Sequence, residues 1–265
     1  MKTKKTGIKL VDKQTGEGLA AEWDKLAPYR EELISSGRDL SYHRILSPSL
    51  RSMLTDLAEF PARVLDVGCG TGKFLETLAI DNPTGRFVGI DPSSTSINVA
   101  TSRPKPSDNI EFRACSAEDF ATDDSRHGTY DGVIANMLLQ NVADLDDVLA
   151  ACRLLLKAGG VFIFAISHPC FWPRYWGYDE EPWFEYDKEL WIEAPFRTSL
   201  SATVDPTLRT THVHRPLHRY LNGLGNAGMT LEKIAEPIPD DGIEGAYPVA
   251  WEFPRFLIGR ARRTS

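Results

Sequence analysis

Between residues 63 and 167 the chain changes its hydrophobic period repeatedly. RVLDVG is a short apolar run, KFLETLAIDN an amphipathic helical stretch, RFVGIDPS a second apolar run and STSINVATSRP a second helical stretch. NIEFRACSA and TYDGVIANM read as further strands, VADLDDVLAACRLLLKAGG as a helix closed by a glycine pair, and VFIFAIS as a strongly apolar strand. Parallel strands need a crossover to bring the chain back to the same edge, and a helix supplies it. Such alternation predicts a parallel sheet with helices on both faces. Before it, AAEWDKLAPYREELISS reads as a helix interrupted at Pro28. SPSLRSMLTDLAEF reads as a second helix, with Ser47 as N-cap and Pro48 in the first turn. After it, HPCFWPRYWGYDEEPWFEYDKELWIEAPF breaks the rhythm with aromatics and acids. Order resumes with RPLHRYLNGLGNAG as a helix and MTLEKIAEP and FPRFLIGRA as strands.

The segment VLDVGCGTGKF, residues 64–74, carries the first strand into a loop with Gly68, Gly70 and Gly72. Glycine lets the backbone pass close to a ligand because no Cβ intervenes. The helix from about Lys73 offers free N–H groups and the positive end of its dipole, which suits a nucleotide-like cofactor. Spacing excludes two common loops. The third glycine of a GxGxxG fingerprint would fall on Lys73 counted from Gly68 and on Leu75 counted from Gly70. A GxxxxGK[ST] phosphate loop would put its first glycine on Val67 and its hydroxyl residue on Phe74. What remains is Asp-x-Gly-x-Gly-x-Gly, from Asp66 to Gly72.

That motif resembles the first motif of the class I S-adenosylmethionine-dependent methyltransferases of small-molecule type. The resemblance covers about residues 60–168 and extends more loosely to the C-terminus. It implies an α/β fold: a doubly wound, seven-stranded, mostly parallel sheet with one antiparallel strand near its edge, an N-terminal helical cover and an inserted aromatic lid. The cofactor it implies is S-adenosylmethionine, with S-adenosylhomocysteine as product. Asp66, Gly68, Cys69, Gly70 and Gly72 would then form the cofactor loop. Asp91, about 25 residues after Asp66 and followed by Pro92, would accept both ribose hydroxyls. Ser116 stands where many members carry Asp for the adenine amine, so Glu118 or Asp119 are the substitutes, with the Ala117 N–H for an adenine ring nitrogen. Asn136 and Met137 would lie beside the methionine moiety. Asn136 is not followed by the Pro-Pro-Tyr/Phe of DNA and glutamine amino-methyltransferases. LLLKAGG resembles the family's LKPGG turn, with Ala158 where proline is usual. In the helical cover, Tyr29 or Arg44 are candidates for the methionine carboxylate, with helix packing as the other role open to them.

Methyl transfer from a sulfonium is an in-line displacement, so alignment matters most, and a general base helps a hydroxyl or protonated amine acceptor. His168, directly after the fifth strand, is the candidate base. Phe171, Trp172 and Trp176 begin the aromatic insert, about 169–212, read as a lid that contacts the acceptor or else as a cap on the sheet edge. His214 and His218 flank Arg215 and are candidates for substrate contact or for a plain helix start.

Composition narrows the partners. The 265 residues carry a net charge of −7, so there is no global basic footprint and no nucleic-acid partner is expected. MKTKKTGIKLVDKQTGEG lacks an apolar signal core, and no run of 18 apolar residues suggests a membrane span. Cys69, Cys115, Cys152 and Cys170 lie far apart with no CxxC pair, which argues against a metal site and for a reducing, cytoplasmic setting. Residues 1–18 are expected to be a flexible arm and 19–265 the catalytic domain. A homo-oligomer is left open, with the arm as the segment able to exchange between subunits. The expected partner is a small-molecule methyl acceptor on N, O or C. Two rivals remain: an RNA methyltransferase, and a cofactor-binding regulator or cyclase that transfers no methyl group.

Overall fold

The computed structural model describes residues 7–264 apart from 58–61, 105–106, 197–206 and 248. In chain order the elements are β1 (Lys9–Leu10), α1 (Gly16–Ser35), a π-helical turn (Ser41–Leu46), α2 (Ser47–Met53), β2 (Arg63–Val67), α3 (Lys73–Asp81) and β3 (Arg86–Asp91). There follow α4 (Ser94–Ser102), β4 (Ile110–Ala114), α5 (Ala117–Phe120), β5 (Tyr130–Asn136), α6 (Leu145–Leu155) and β6 (Leu156–Ser167). The remainder is α7 (Trp172–Trp176), β7 (Leu190–Pro195), β8 (Arg209–His214), α8 (Leu217–Asn226), β9 (Met229–Ala235), α9 (Asp241–Glu244) and β10 (Phe256–Arg263).

The main sheet has seven strands in the order β4-β3-β2-β5-β6-β10-β9. Strands β4 to β6 pair in parallel, and β10 runs antiparallel to both neighbours. This is the expected sheet. Its strands are apolar runs because both faces are covered. In β6, Phe162, Phe164 and Ile166 point to one core with Leu149 and Leu155 of α6 and Tyr220 and Leu224 of α8. Ile163 and Ala165 point to the other, with Leu50 and Met53 of α2 and Phe74 and Leu75 of α3. Strand order reverses between β2 and β5, and a crevice opens there at the carboxyl ends.

Three local expectations are corrected. Pro28 does not interrupt α1, which runs through it to Ser35. Its ring is exposed, while Leu19, Leu26, Ala27, Leu33 and Ile34 bury the opposite side, and that packing outweighs the missing N–H. Ser47 caps nothing, because the chain reaches it already wound by the π-helical turn. The arm expected over 1–18 is anchored in its second half. Lys9 and Leu10 pair with Glu193 and Ile192 of β7, and Thr15 caps α1 by accepting from the Gly18 N–H. Residues 1–6 lie outside the described residues.

The aromatic insert folds as α7 and a small antiparallel sheet, β1-β7-β8. Arg255, 2 % exposed, stacks over Tyr175 at 4.0 Å and Trp251 at 4.2 Å. Tyr178 is fully buried, with its hydroxyl 3.1 Å from His212 Nε2. Burial holds the His212 ring neutral, its pKa pushed down to about 3.

Candidate functional site

The crevice between β2 and β5 is covered by α1 and encloses a cavity of about 860 Å³. That size suits a cofactor together with a small second molecule. The floor is the glycine loop. Gly68, Gly70 and Gly72 all have positive φ, at 69°, 55° and 78°. The N–H groups of Gly68 and Cys69 both donate to the Ile90 carbonyl, so the loop turns sharply back over β3. Asp91 ends β3, its two oxygens accepting the N–H groups of Gly70 (2.9 Å) and Ser93 (2.8 Å). At the end of β5, Met137 adopts φ 56°, uncommon for a residue with a side chain and a mark of functional strain.

The roof is one face of α1: Gly16, Leu19, Ala20, Trp23, Ala27, Arg30 and Ile34 line the cavity. Two networks fasten this helix. Asp24 accepts from the Ser93 hydroxyl (2.7 Å) and the Thr95 N–H (2.9 Å) at the start of α4. Glu31 pairs with Lys73 (3.2 Å) and Arg103 (2.9 Å), and Arg103 also donates to the Thr71 carbonyl of the glycine loop.

Several polar atoms are buried here without a partner. Asp66 Oδ1, Asn136 Oδ1 and the Tyr42 hydroxyl have no hydrogen bond among the described residues, and all three residues line the cavity. Buried polar groups are paired in nearly all proteins, so such atoms await a ligand that donates to them. Burial pushes the Asp66 carboxyl up to about 8, with the charge of Asp91 adding to the effect. Asp91 is pushed up to about 6 by burial, against its two backbone hydrogen bonds. A positive ligand would restore both to the charged form.

Residues 61–184 match a family described as a methyltransferase domain. Over that stretch the chain is similar to methyltransferase domains, and its seven-stranded sheet has the class I methyltransferase fold. The curated relatives include the mitochondrial ubiquinone biosynthesis O-methyltransferase of Bos taurus, 32% identical over 157 residues, which is 55% of this chain and 40% of that protein. The chain spans less than half the length of the ubiquinone biosynthesis methyltransferases it matches. Two solved structures share the fold. One is the Burkholderia thailandensis 1,6-didemethyltoxoflavin-N1-methyltransferase with S-adenosylhomocysteine bound, with TM-score 0.58, 16% identity, and 97% of this chain and 95% of that chain covered. The other is the [4+2]-cyclase SpnF, with TM-score 0.62, 15% identity, and 96% and 98% covered.

The Burkholderia enzyme of this fold holds S-adenosylhomocysteine, and the cavity here has the features such a ligand needs, with unpaired acceptors facing inward and an open floor at Gly70. The structure brings Asp66, Gly68, Cys69, Gly70, Asp91, Pro92, Ser116, Ala117, Glu118, Asn136 and Met137 to this one cavity. It does not bring Gly72 there. A Cβ on Gly72 would meet the Phe112 ring at 2.4 Å, so this glycine serves packing beneath the loop. The Ser116 hydroxyl is spent capping α5, accepting from the Asp119 N–H and donating to the Asp119 carboxylate. Glu118 makes no hydrogen bond or ion pair among the described residues and is the freer acceptor.

Other predicted site residues lie away from this cavity. Tyr29 and Arg44 do not line the cavity; Arg30 and Tyr42 do. Arg30 is one position round the helix from Tyr29, on the face that Trp23 already marked, and its Nη1 pairs with the buried Asp39. His168 does not reach the cavity either. It is 2 % exposed, with Nε2 2.7 Å from Glu236 Oε1 and Nδ1 accepting the Cys170 N–H at 3.2 Å. An accepting Nδ1 fixes the proton on Nε2, which donates to Glu236. Both nitrogens are thus committed to holding the turn after β6, and no lone pair faces an acceptor. Phe171, Trp172 and Trp176 also stay outside the cavity wall. Phe171 stacks on Phe253, Trp172 packs on Phe256, and Trp176 packs on His212. His214 is buried with Nε2 2.9 Å from the Tyr186 carbonyl, and His218 is exposed on α8.

Proposed function

We propose that this protein transfers the methyl group of S-adenosylmethionine to a small-molecule acceptor. The observation that carries the reading is the set of unpaired buried acceptors on Asp66, Tyr42 and Asn136 around the glycine loop. When bound, S-adenosylmethionine supplies a methyl carbon on a positively charged sulfur. Asp91 would hold the ribose hydroxyls, each carboxylate oxygen keeping a lone pair beyond its backbone hydrogen bond. Glu118 and the Ala117 N–H would read the adenine edge. Asp66, Asn136 and Tyr42 would accept from the ammonium end, and Arg30 would offer its guanidinium to the carboxylate. The roof of α1 excludes water, and the carboxylates beneath it favour a cationic ligand.

The small-molecule class is supported by the likeness to ubiquinone biosynthesis O-methyltransferases and by the toxoflavin-precursor enzyme of the same fold. The net charge of −7 speaks against RNA. No histidine among the described residues lines the cavity, so this reading assigns catalysis chiefly to alignment of the acceptor with the methyl carbon. That same feature, with the fold likeness to a cyclase, favours a second reading in which the cofactor is bound without being consumed. The test is incubation of the protein with methyl-labelled S-adenosylmethionine and an extract of its source. Label in the small-molecule fraction is expected. Label in RNA or protein refutes the acceptor class, and tight binding without transfer to any fraction favours the second reading.

A further inference from the structure

The two walls of the cofactor cavity hang on one strand. Thr211 lies within β8 and Arg215, four residues on, directly follows the strand; they are 0 % and 1 % exposed. On the α1 side, Glu22 accepts from the Thr211 N–H (2.6 Å) and hydroxyl (2.9 Å), and Gln14 Nε2 donates to Thr211 Oγ1 (2.9 Å). On the other side, Arg215 spreads its guanidinium under the segment after β5. Nη1 donates to the Leu139 carbonyl at 3.0 Å and Nη2 to the Val142 carbonyl at 2.9 Å, while Nε donates to Glu189 Oε2 at 2.7 Å.

The segment so held is a short 3-10 turn, Leu139–Asn141, and the Val142 that follows it; Leu138 alone separates the turn from Met137. Asn141, Val142 and Ala143 line the cavity; Arg215 does not. Within the turn, Asn141 N–H donates to the Leu138 carbonyl. The Leu139 and Val142 carbonyls are satisfied from outside, by a planar fork whose donors diverge in fixed directions. An ammonium cannot span the same two carbonyls while staying on Glu189.

We propose that Arg215 is a positioning residue for cofactor binding, shaping the Leu139–Ala143 wall from the small sheet without touching the ligand. The proposal rests on the reading that the cavity binds S-adenosylmethionine. It is tested with S-adenosylhomocysteine by titration calorimetry on wild type, Arg215→Lys and Glu189→Gln. Arg215→Lys is expected to weaken binding about tenfold and to speed hydrogen exchange at amides 138–144, with saturating ligand slowing it again. Glu189→Gln leaves both carbonyl bonds in place and is expected to bind within about twofold of wild type. A lower melting temperature in Arg215→Lys with unchanged affinity overturns the proposal, as does a Glu189→Gln loss equal to that of Arg215→Lys. Should Arg215→Lys not fold, the pair Arg215→Met with Glu189→Leu leaves no buried unpaired charge and carries the same expectation. Wild type that fails to bind the ligand at all would sink the cavity reading itself, a result distinct from equal binding by wild type and variant.

Discussion

Gly70 and Gly72 stand two residues apart in one loop, share a left-handed backbone, and are expected to fail in opposite ways when replaced by alanine. At either position a Cβ in the left-handed region costs roughly 1–2 kcal/mol. A Cβ on Gly70 meets nothing within 4 Å and enters the cavity. A Cβ on Gly72 meets Phe112 Cζ at 2.4 Å and Cε1 at 2.5 Å. The same edge of the Phe112 ring also packs on Gly89, where an added Cβ would lie 2.7 Å from Cδ1 and 2.9 Å from Cε1. Overpacking of this kind adds about 1–3 kcal/mol. Gly70→Ala is therefore expected to cost ~1–2 kcal/mol and Gly72→Ala ~2–5 kcal/mol. With ~2–4 °C of melting temperature per kcal/mol at this size, that is ~2–8 °C against ~4–20 °C.

Binding separates the two in the other direction. Gly70→Ala is expected to lose at least about tenfold in S-adenosylhomocysteine affinity, or ~1.4 kcal/mol, because the new methyl occupies ligand space. Gly72→Ala, where it remains folded, is expected to bind within a few-fold of wild type. Thermal melts by circular dichroism and calorimetric titrations measure both quantities. Adding Phe112→Leu to Gly72→Ala is expected to recover the overpacking part and leave the backbone part, a coupling of ~1–3 kcal/mol. Gly72→Ala melting no lower than Gly70→Ala, or Gly70→Ala binding like wild type, would refute this division of labour.

Further outcomes follow from the same geometry. Because Asp66 and Asp91 are pushed up to about 8 and about 6, the folded ligand-free protein holds protons that the unfolded chain, with aspartates near ~3.9, has lost. Its melting temperature is expected to fall as pH rises from 4 through 8, and Asp66→Asn to flatten that fall; a wild-type profile without decline counts against the burial of Asp66. Asp91→Asn is expected to weaken S-adenosylhomocysteine at least tenfold at pH 8 by removing a charged acceptor, read by calorimetry. Arg30→Lys is expected to weaken it about tenfold, since a single ammonium cannot serve both Asp39 and a ligand carboxylate. His168→Gln is expected to lower the melting temperature through the lost Glu236 pair while leaving the ligand's affinity unchanged, and a large affinity loss would return His168 to the site.

The sheet was legible because its strands are apolar on both faces and its crossovers amphipathic, a pattern that fixes class and element order together. The loop was legible because a spacing of Asp and three glycines excludes the rival phosphate loops. Ligand contact could not be assigned glycine by glycine. Gly70 faces the cavity and Gly72 faces Phe112, and that difference depends on a ring 40 residues further along. His168 followed the fifth strand in sequence and so looked like an edge residue of the site. In space β6 lies one strand beyond the β2–β5 reversal, and the His168 N–H bonds the Arg255 carbonyl next to β10, so the turn leads away from the crevice. Folding of the aromatic insert against Arg255 was out of reach for the same reason, since Arg255 comes some 80 residues after Tyr175.

The helical cover shows how one local misreading displaces a site residue. The cavity face of α1 runs Gly16, Leu19, Ala20, Trp23, Ala27, Arg30 and Ile34, in the three- and four-residue steps of a single unbroken helix. Counting from Trp23 reaches Arg30 only if the phase survives Pro28. Taken as an interruption, Pro28 erases that phase, and Tyr29 then stands on equal terms with Arg30. The π-helical turn has the same effect further on. Its wider i→i+5 winding shifts the phase between α1 and α2, turning Tyr42 into the cavity and Arg44 out to solvent. Proline at an exposed helix position and a π turn between two helices are both tolerated because the buried face is already held, by Leu26, Ala27, Leu33 and Ile34 on one element and by Ile45, Leu46 and Leu50 on the next. The residues that bind are therefore found by following the packed face through such irregularities, rather than by restarting the count at each one.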